Sequence, residues 1–104
     1  MFRPTSWLAL VLLAATSHPV LASQKLADKG GCSVCHAADK KLLGPSWREI
    51  AAKYAGRPDA AALLLQRTRK GSQGVWGVVP MPATGVDRLS DTELKTVVSW
   101  VLKS

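Results

Sequence analysis

The run Cys32-Ser33-Val34-Cys35-His36 constrains this chain more than any other feature. Two thiols three positions apart, followed directly by a histidine, form the C-x-x-C-H sequence through which a c-type haem is attached. Each thiol can form a thioether with one vinyl group of the same haem, and the imidazole of His36 can then reach the iron. The run therefore predicts one haem c, bound covalently through Cys32 and Cys35.

The beginning of the chain has the features of a secretory signal peptide, which we predict over residues 1–22. Arg3 supplies a positive charge, residues 7–15 are almost entirely apolar, and Val20-Leu21-Ala22 provides a small-x-small ending. The apolar run is shorter than the roughly 20 residues that a membrane-spanning helix needs. We expect cleavage after this ending, a single domain over residues 23–104, a periplasmic location and no stable membrane insertion. An uncleaved anchor is the alternative.

Three other uses of the two cysteines compete with haem attachment. A thioredoxin-like redox pair requires a nearby βαβ pattern, and the sequence shows no strand pattern. A structural zinc site needs four ligands, but residues 23–104 contain no third cysteine and no second histidine. A disulfide would close a very short loop and would stabilise little. It stays open as the haem-free alternative.

Apolar spacing predicts an all-α fold with no sheet. Ser23 is expected to cap the first helix, and Pro58 to occupy the first position of the third. The sequence Ser90-Asp91-Thr92-Glu93 is a capping box for the last helix. The helices are expected over residues 23–31, 47–55, 58–70 and 90–102.

Residues 71–89 show no helical period and hold four glycines and two prolines. A loop this long is unusual in a small domain unless it has a function. Met81 stands in it between two prolines, which fix the backbone on either side. A lone methionine usually fills a core, but a stiff loop suits an iron ligand. We predict axial ligation by His36 and Met81, which leaves no open position for catalysis and favours an electron carrier over an enzyme.

The chain is basic, with 14 lysines and arginines against 7 acidic residues and a formal net charge of +7. The basic residues are scattered, which together with export argues against nucleic acid as a partner. The excess charge predicts steering toward redox partner proteins with acidic docking surfaces. Lys29, Lys40 and Lys41 are expected around the exposed haem edge near Cys32, and we expect a monomer.

Four segments, GCSVCH, LLGPSW, KGSQGVWG and PMP, resemble in order and spacing those of the small bacterial class I cytochromes c with a single haem. The resemblance covers residues 31–104. It implies four or five short helices wrapped around one covalently bound haem, with the N- and C-terminal helices crossing near it. It also implies a periplasmic carrier that shuttles electrons between respiratory donors and a reductase or oxidase, for example a haem cd-type nitrite reductase.

The same resemblance implies roles for three more residues. The Pro45 carbonyl would accept a hydrogen bond from His36, and Arg67 and Trp76 would contact the haem propionates. Thr84 departs from the family pattern, because many relatives have an asparagine there whose amide touches the methionine sulfur. A haem peroxidase or a gas-binding haem sensor remains the alternative function, and either would require a labile Met81.

Overall fold

The computed structural model of this chain describes residues 19–104, so the predicted signal peptide lies almost entirely outside the described residues. In the described part, the all-α prediction is confirmed: there are four α-helices and one turn of 3₁₀-helix at Cys32–Val34, but no strand. Only two isolated antiparallel bridges occur there, His36 with Lys41 and Ser72 with Met81. The helices are α1 (Pro19–Lys29), α2 (Trp47–Tyr54), α3 (Ala60–Lys70) and α4 (Asp91–Leu102).

Helix α4 is the centre of the packing, because α1, α2 and α3 all contact it. The predicted capping box is confirmed: the Glu93 amide donates to Ser90 Oγ at 3.2 Å, and the Ser90 amide donates to Glu93 Oε1 at 3.0 Å. These bonds satisfy amides that the first helical turn would leave unpaired. The inner face of α4 is buried through Leu94, Val97, Val98 and Val101.

Helix α2 begins with a second capping box, which the sequence prediction missed. The Glu49 amide donates to Ser46 Oγ at 3.0 Å, and the Ser46 amide donates to Glu49 Oε2 at 3.3 Å. Apolar spacing over residues 47–55 predicts one buried stripe, and Trp47, Ile50, Ala51 and Tyr54 are buried as expected, whereas Ala55, just beyond the helix, is exposed. The cap therefore fixes where the indole of Trp47 enters the core.

The predicted starts of α1 and α3 are wrong. Helix α1 begins at Pro19, and Ser23 is a buried residue inside it rather than a cap. Proline is accepted in a first helical turn, so the helix extends upstream of the serine. Pro58 lies in a turn before α3, in which the Ala60 amide donates to the Arg57 carbonyl at 3.2 Å and Arg57 pairs with Asp59 at 3.0 Å.

The loop over residues 71–89 contains no helix, as predicted, and it is tied to α3 at several points. Gly71 ends α3 with φ 79°, a backbone conformation that favours glycine. The Thr84 amide donates to the Thr68 carbonyl at 2.8 Å, and Arg69 donates to the Thr84 carbonyl at 3.2 Å. Arg69 also pairs with Asp91 at 2.8 Å, which links the loop, α3 and α4.

Candidate functional site

One open cleft contains all the residues that the sequence singled out for the site. It encloses about 1070 Å³ of space between atoms, counting its solvent-open mouth. Its remaining walls are mostly apolar and come from α2, α3, α4 and the loop residues at 43–44 and within 72–82. The predicted site residues that line it are Cys32, Cys35, His36, Pro45, Arg67, Trp76 and Met81.

The two cysteines lie on a tight turn at one end of the cleft. Gly31 enters this turn with φ 77°, and the amides of Cys35 and His36 both donate to the Cys32 carbonyl, at 3.1 and 3.0 Å. Both thiols are free and half-buried. Burial raises the pKa of the Cys32 thiol above its ordinary value. The turn thus presents two thiols and an imidazole to the same cleft.

The His36 ring is held in one tautomer by the backbone. Its Nδ1 lies 2.6 Å from the Pro45 carbonyl oxygen, the pair that the resemblance implied. A carbonyl can only accept, so Nδ1 carries the proton and the lone pair of Nε2 is free to bind a metal. Burial lowers the pKa of His36, an effect that the bond to Pro45 partly opposes. Burial thus favours the neutral imidazole, which is the form that binds a metal.

Trp47 packs on this ring, a contact that the sequence prediction missed. The ring centroids of His36 and Trp47 lie 4.6 Å apart, with 24° between the planes. Periodicity placed Trp47 on the inner face of α2 but could not say what it faces. The only sequence signal was its position two residues after Pro45, in the segment that also supplies the carbonyl partner of His36.

Met81 is fixed by the backbone of the long loop. The Met81 amide donates to the Ser72 carbonyl at 2.8 Å, and the Ser72 amide donates back to the Met81 carbonyl at 3.0 Å. Gly71 makes this approach possible, because a Cβ there would lie 2.8 Å from the Met81 carbonyl oxygen. The side chain of Met81 is half-buried in the cleft lining. It reaches the same cleft as His36 from a distant part of the chain.

Arg67 and Trp76 lie in the same cleft but have different neighbours. Arg67 donates to the Tyr54 hydroxyl, a partner that the sequence prediction missed. Trp76 is 39% exposed, and the Lys53 ammonium lies 4.4 Å from its ring centroid. The structure thus places two hydrogen-bond donors and a nearby ammonium group along the cleft, a combination suited to carboxylates.

The residues of the cleft fit a haem. Two thiols, a neutral imidazole and a methionine thioether are the groups that attach and ligate a c-type haem, and apolar walls suit its macrocycle. Residues 19–104 contain no cluster of three or more His, Cys, Asp and Glu side chains that could hold a different metal. Fold and site together define a small all-helical protein built around one covalently attached haem.

The chain belongs to the cytochrome c family, whose sequence model matches residues 20–104. It is similar to cytochrome c2 of Rubrivivax gelatinosus, with 51% identity over 80 residues, covering 77% of this chain and 94% of that protein. It is also similar to cytochrome c-551 of Pseudomonas aeruginosa, with 51% identity over 72 residues, covering 69% and 66%. Among solved structures, cytochrome c552 of Nitrosomonas europaea matches with TM-score 0.70 and 42% identity, covering 77% of this chain and 96% of that one.

These findings confirm the predicted family, fold class and cofactor. The protein is a small haem-binding cytochrome c of the class I kind, an electron-transport protein with one haem c on the Cys32 and Cys35 pair. Between residues 19 and 104, no helix is long and apolar enough to cross a membrane.

Proposed function

We propose that this protein is a periplasmic carrier of single electrons whose haem iron is ligated by His36 and Met81. The observation that carries the proposal is that both side chains line one cleft while each is held by its own backbone anchor. His36 is anchored at the Pro45 carbonyl, and Met81 at the backbone of Ser72. With both side chains held on the iron, His36 and Met81 would close it to substrates and favour electron transfer without bond formation.

The bound haem supplies a one-electron change between Fe(III) and Fe(II), and the chain's own residues control its surroundings. The Nδ1–H of His36 stays on the Pro45 carbonyl, so Nε2 remains available in both redox states. The soft thioether of Met81 favours Fe(II) and raises the potential. The buried face of α4 provides an apolar wall that excludes water. Each of these groups acts by keeping its position while the charge of the iron changes.

We assign Arg67 and Trp76 to the haem propionates. The guanidinium of Arg67 can pair with a carboxylate, and the indole N–H of Trp76 can donate to one. Tyr54 supports Arg67 by accepting its hydrogen bond. Lys53 lies over Trp76 and also donates to the Val75 carbonyl at 3.5 Å, so it ties this part of the loop to α2.

The partners we propose are redox proteins with acidic docking surfaces. We propose that this chain binds them as a monomer. Lys40 and Lys41 are exposed beside the haem motif and take part in none of the ion pairs found in residues 19–104. Lys29 contributes less charge than expected, because it pairs with Glu93 at 2.8 Å. Arg88 is a further cation at this edge, since its guanidinium lies against Gly30 and Gly31.

Export is part of the proposal, with residues 1–22 as a cleaved signal peptide, so that cleavage would remove the first four residues of α1 and the helix would then begin at Ser23. Attachment of haem through thioethers occurs outside the bacterial cytoplasm, which agrees with the C-x-x-C-H sequence and with the apolar leader. The intact mass of protein purified from periplasmic extract tests this directly. We expect the mass of residues 23–104 plus one haem, and the mass of the full chain would contradict the proposed cleavage.

A visible spectrum with a pyridine haemochrome assay tests the redox group and its ligation together. We expect one haem with two thioethers per chain and a low-spin spectrum in both redox states. A colourless product from a strain competent in haem attachment would support the disulfide alternative. A high-spin spectrum would point to an open iron and to the peroxidase or sensor alternative.

A further inference from the structure

The face of the His36 ring is covered by a tryptophan, and this contact has a function of its own. We propose that Trp47 is a positioning residue that fixes the plane of the His36 imidazole, with Trp100 supporting it from behind. The inference rests on the proposed ligation of the haem iron by His36. It adds a residue on α2 and a residue on α4 to the set that controls the iron.

A single hydrogen bond does not fix an aromatic ring. The bond from Nδ1 to the Pro45 carbonyl holds one edge of the imidazole but lets the ring rock about that edge. Gly44 closes on the same edge, since a Cβ there would lie 2.7 Å from Cε1 and 3.1 Å from Nδ1. Neither contact covers the face of the ring. Control of the ring plane therefore needs a flat neighbour stacked on that face.

Trp47 is such a neighbour. The centroid distance of 4.6 Å and the angle of 24° describe a stacked pair at the short end of the usual range for aromatic contacts. His36 is 8% exposed and Trp47 is 5% exposed, so the contact lies in the core, away from solvent. A rotation of the imidazole would push its face into the indole, against which Trp100 packs edge-on.

Trp47 is itself anchored at three points. Its amide donates to the Ala37 carbonyl at 2.9 Å, directly beside the haem motif. The capping box of Ser46 fixes the first turn of α2 beneath it. Trp100 packs edge-on against its indole, with centroids 5.7 Å apart and 61° between the planes. One edge-on and one stacked aromatic contact thus connect Trp100 on α4, through Trp47, to the imidazole of His36.

The stack also bears on the redox chemistry. A ligating imidazole shares the positive charge of the iron, and this charge is larger in the oxidised state. The negative face of an indole stabilises a neighbouring positive charge. Trp47 therefore stabilises the oxidised form relative to an aliphatic residue in its place, and its removal should raise the reduction potential. A residue that only fills space would not change the potential in this way.

The test uses the haem-loaded protein and compares Trp47→Leu with Trp47→Phe and with Ala51→Gly. Ala51 is buried on the same helix but is not among the residues that line the cleft, so its variant loses stability and keeps the stack. The readouts are the hyperfine-shifted haem methyl signals of the oxidised protein in proton NMR, which report the orientation of the axial ligands, and the reduction potential. Thermal unfolding measures the loss of stability in each variant.

We expect Trp47→Leu to change the spread of the haem methyl shifts and to raise the potential, while Trp47→Phe stays close to the parent protein. Ala51→Gly should unfold at a lower temperature but keep the parent methyl pattern and potential. An unchanged pattern and potential in Trp47→Leu would overturn the proposal.

Should Trp47→Leu fail to fold, Trp100→Leu provides the test. It removes the indole that packs against Trp47 and leaves the contact between Trp47 and His36. A changed methyl pattern in Trp100→Leu supports the proposal, and an unchanged one overturns it. Failure of the proposed ligation would be visible separately, since the parent protein itself would then lack a low-spin spectrum.

Discussion

Ser72 and Met81 are joined by a pair of backbone hydrogen bonds, 2.8 Å and 3.0 Å long, across the neck of the long loop. This pair converts the segment between them into a closed loop with a fixed neck. Met81 is therefore positioned by main-chain bonds, and the flanking prolines restrict the backbone on either side of it. Its position should depend on the close approach at Gly71 more than on any apolar neighbour.

Gly71→Ala is expected to weaken ligation by Met81. A Cβ at position 71 would lie 2.8 Å from the Met81 carbonyl and 3.1 Å from the Ala83 amide, so the methionine segment must move. The backbone there, with φ 79° and ψ 169°, adds strain of about 1–3 kcal/mol for a residue other than glycine. The oxidised protein should lose part of the charge-transfer band of iron–methionine ligation.

Gly74→Ala is the matched control for this substitution. Gly74 also has a positive φ of 77°, but a Cβ there would meet nothing within 4 Å. The control should lose stability from backbone strain and keep the methionine band. Equal loss of the band in both variants would show that contact with Met81 is not the cause.

Glu93→Gln is expected to lower the temperature of unfolding at neutral pH. Glu93 pairs with Lys29 at 2.8 Å and so links α4 to α1, while a glutamine side chain can still accept the Ser90 amide. The hydrogen bond from Lys29 is the largest cause that lowers the pKa of Glu93 below its ordinary value of 4.5. A carboxyl whose pKa is lowered by folding stabilises the protein above its ordinary pKa, and this is lost as the pH falls through the folded value.

The difference between Glu93→Gln and the parent protein should therefore be complete above about pH 5 and disappear in more acidic solution. Thermal unfolding followed by circular dichroism across this range measures it. Asp39→Asn removes one negative charge at an exposed position that takes part in no ion pair within the described residues, and it serves as the control. A difference that persists unchanged in acid would rule out the charge of Glu93 as its source.

Arg88→Gln is expected to slow electron transfer to an anionic oxidant such as hexacyanoferrate(III), by roughly two- to threefold at low salt. Arg88 forms no ion pair within residues 19–104, and its guanidinium lies against Gly30 and Gly31, next to Cys32. Its charge is therefore not neutralised by a direct ion pair at the edge where transfer is proposed, where Asp28 is the acidic residue that also acts on Cys32. Stopped-flow kinetics at several ionic strengths measure the effect.

Lys29→Gln and a cationic oxidant complete this comparison. Removal of Lys29 also lowers the local charge by one unit and leaves Glu93 unpaired, so Lys29→Gln should also slow the reaction with hexacyanoferrate(III). With tris(phenanthroline)cobalt(III), a cation, Arg88→Gln should react slightly faster than the parent protein. A slower reaction with both oxidants would mean that the substitution disturbs the haem rather than the local charge.

The sequence was sufficient for the cofactor and for most of the helices. The C-x-x-C-H run has a fixed chemical meaning, and the capping box at Ser90 together with the apolar period of α4 predicts that helix almost to the residue. The irregular loop was also predicted, because glycine and proline carry local information. These features depend on neighbours in the chain and need no knowledge of the fold.

Contacts between distant segments could not be predicted in the same way. The period of α2 shows that Trp47 points inward, but only the fold places it on His36. Likewise, Lys29 looks like a free surface cation until α1 and α4 are packed and Glu93 comes within 2.8 Å. The early start of α1 was missed because serine is a preferred N-cap residue, so Ser23 was expected to begin the helix. In the folded chain Ser23 is instead buried inside the helix.

Carbon monoxide binding to the reduced protein tests the central claim, ligation by His36 and Met81, most directly. With both axial positions filled, the parent protein should bind carbon monoxide slowly or not at all near neutral pH. Met81→Ala should bind it rapidly and lose the iron–methionine band in the oxidised state, while keeping its covalent haem. Rapid binding by the parent protein, at the rate of Met81→Ala, would contradict the account and would favour a gas-binding or peroxidase function.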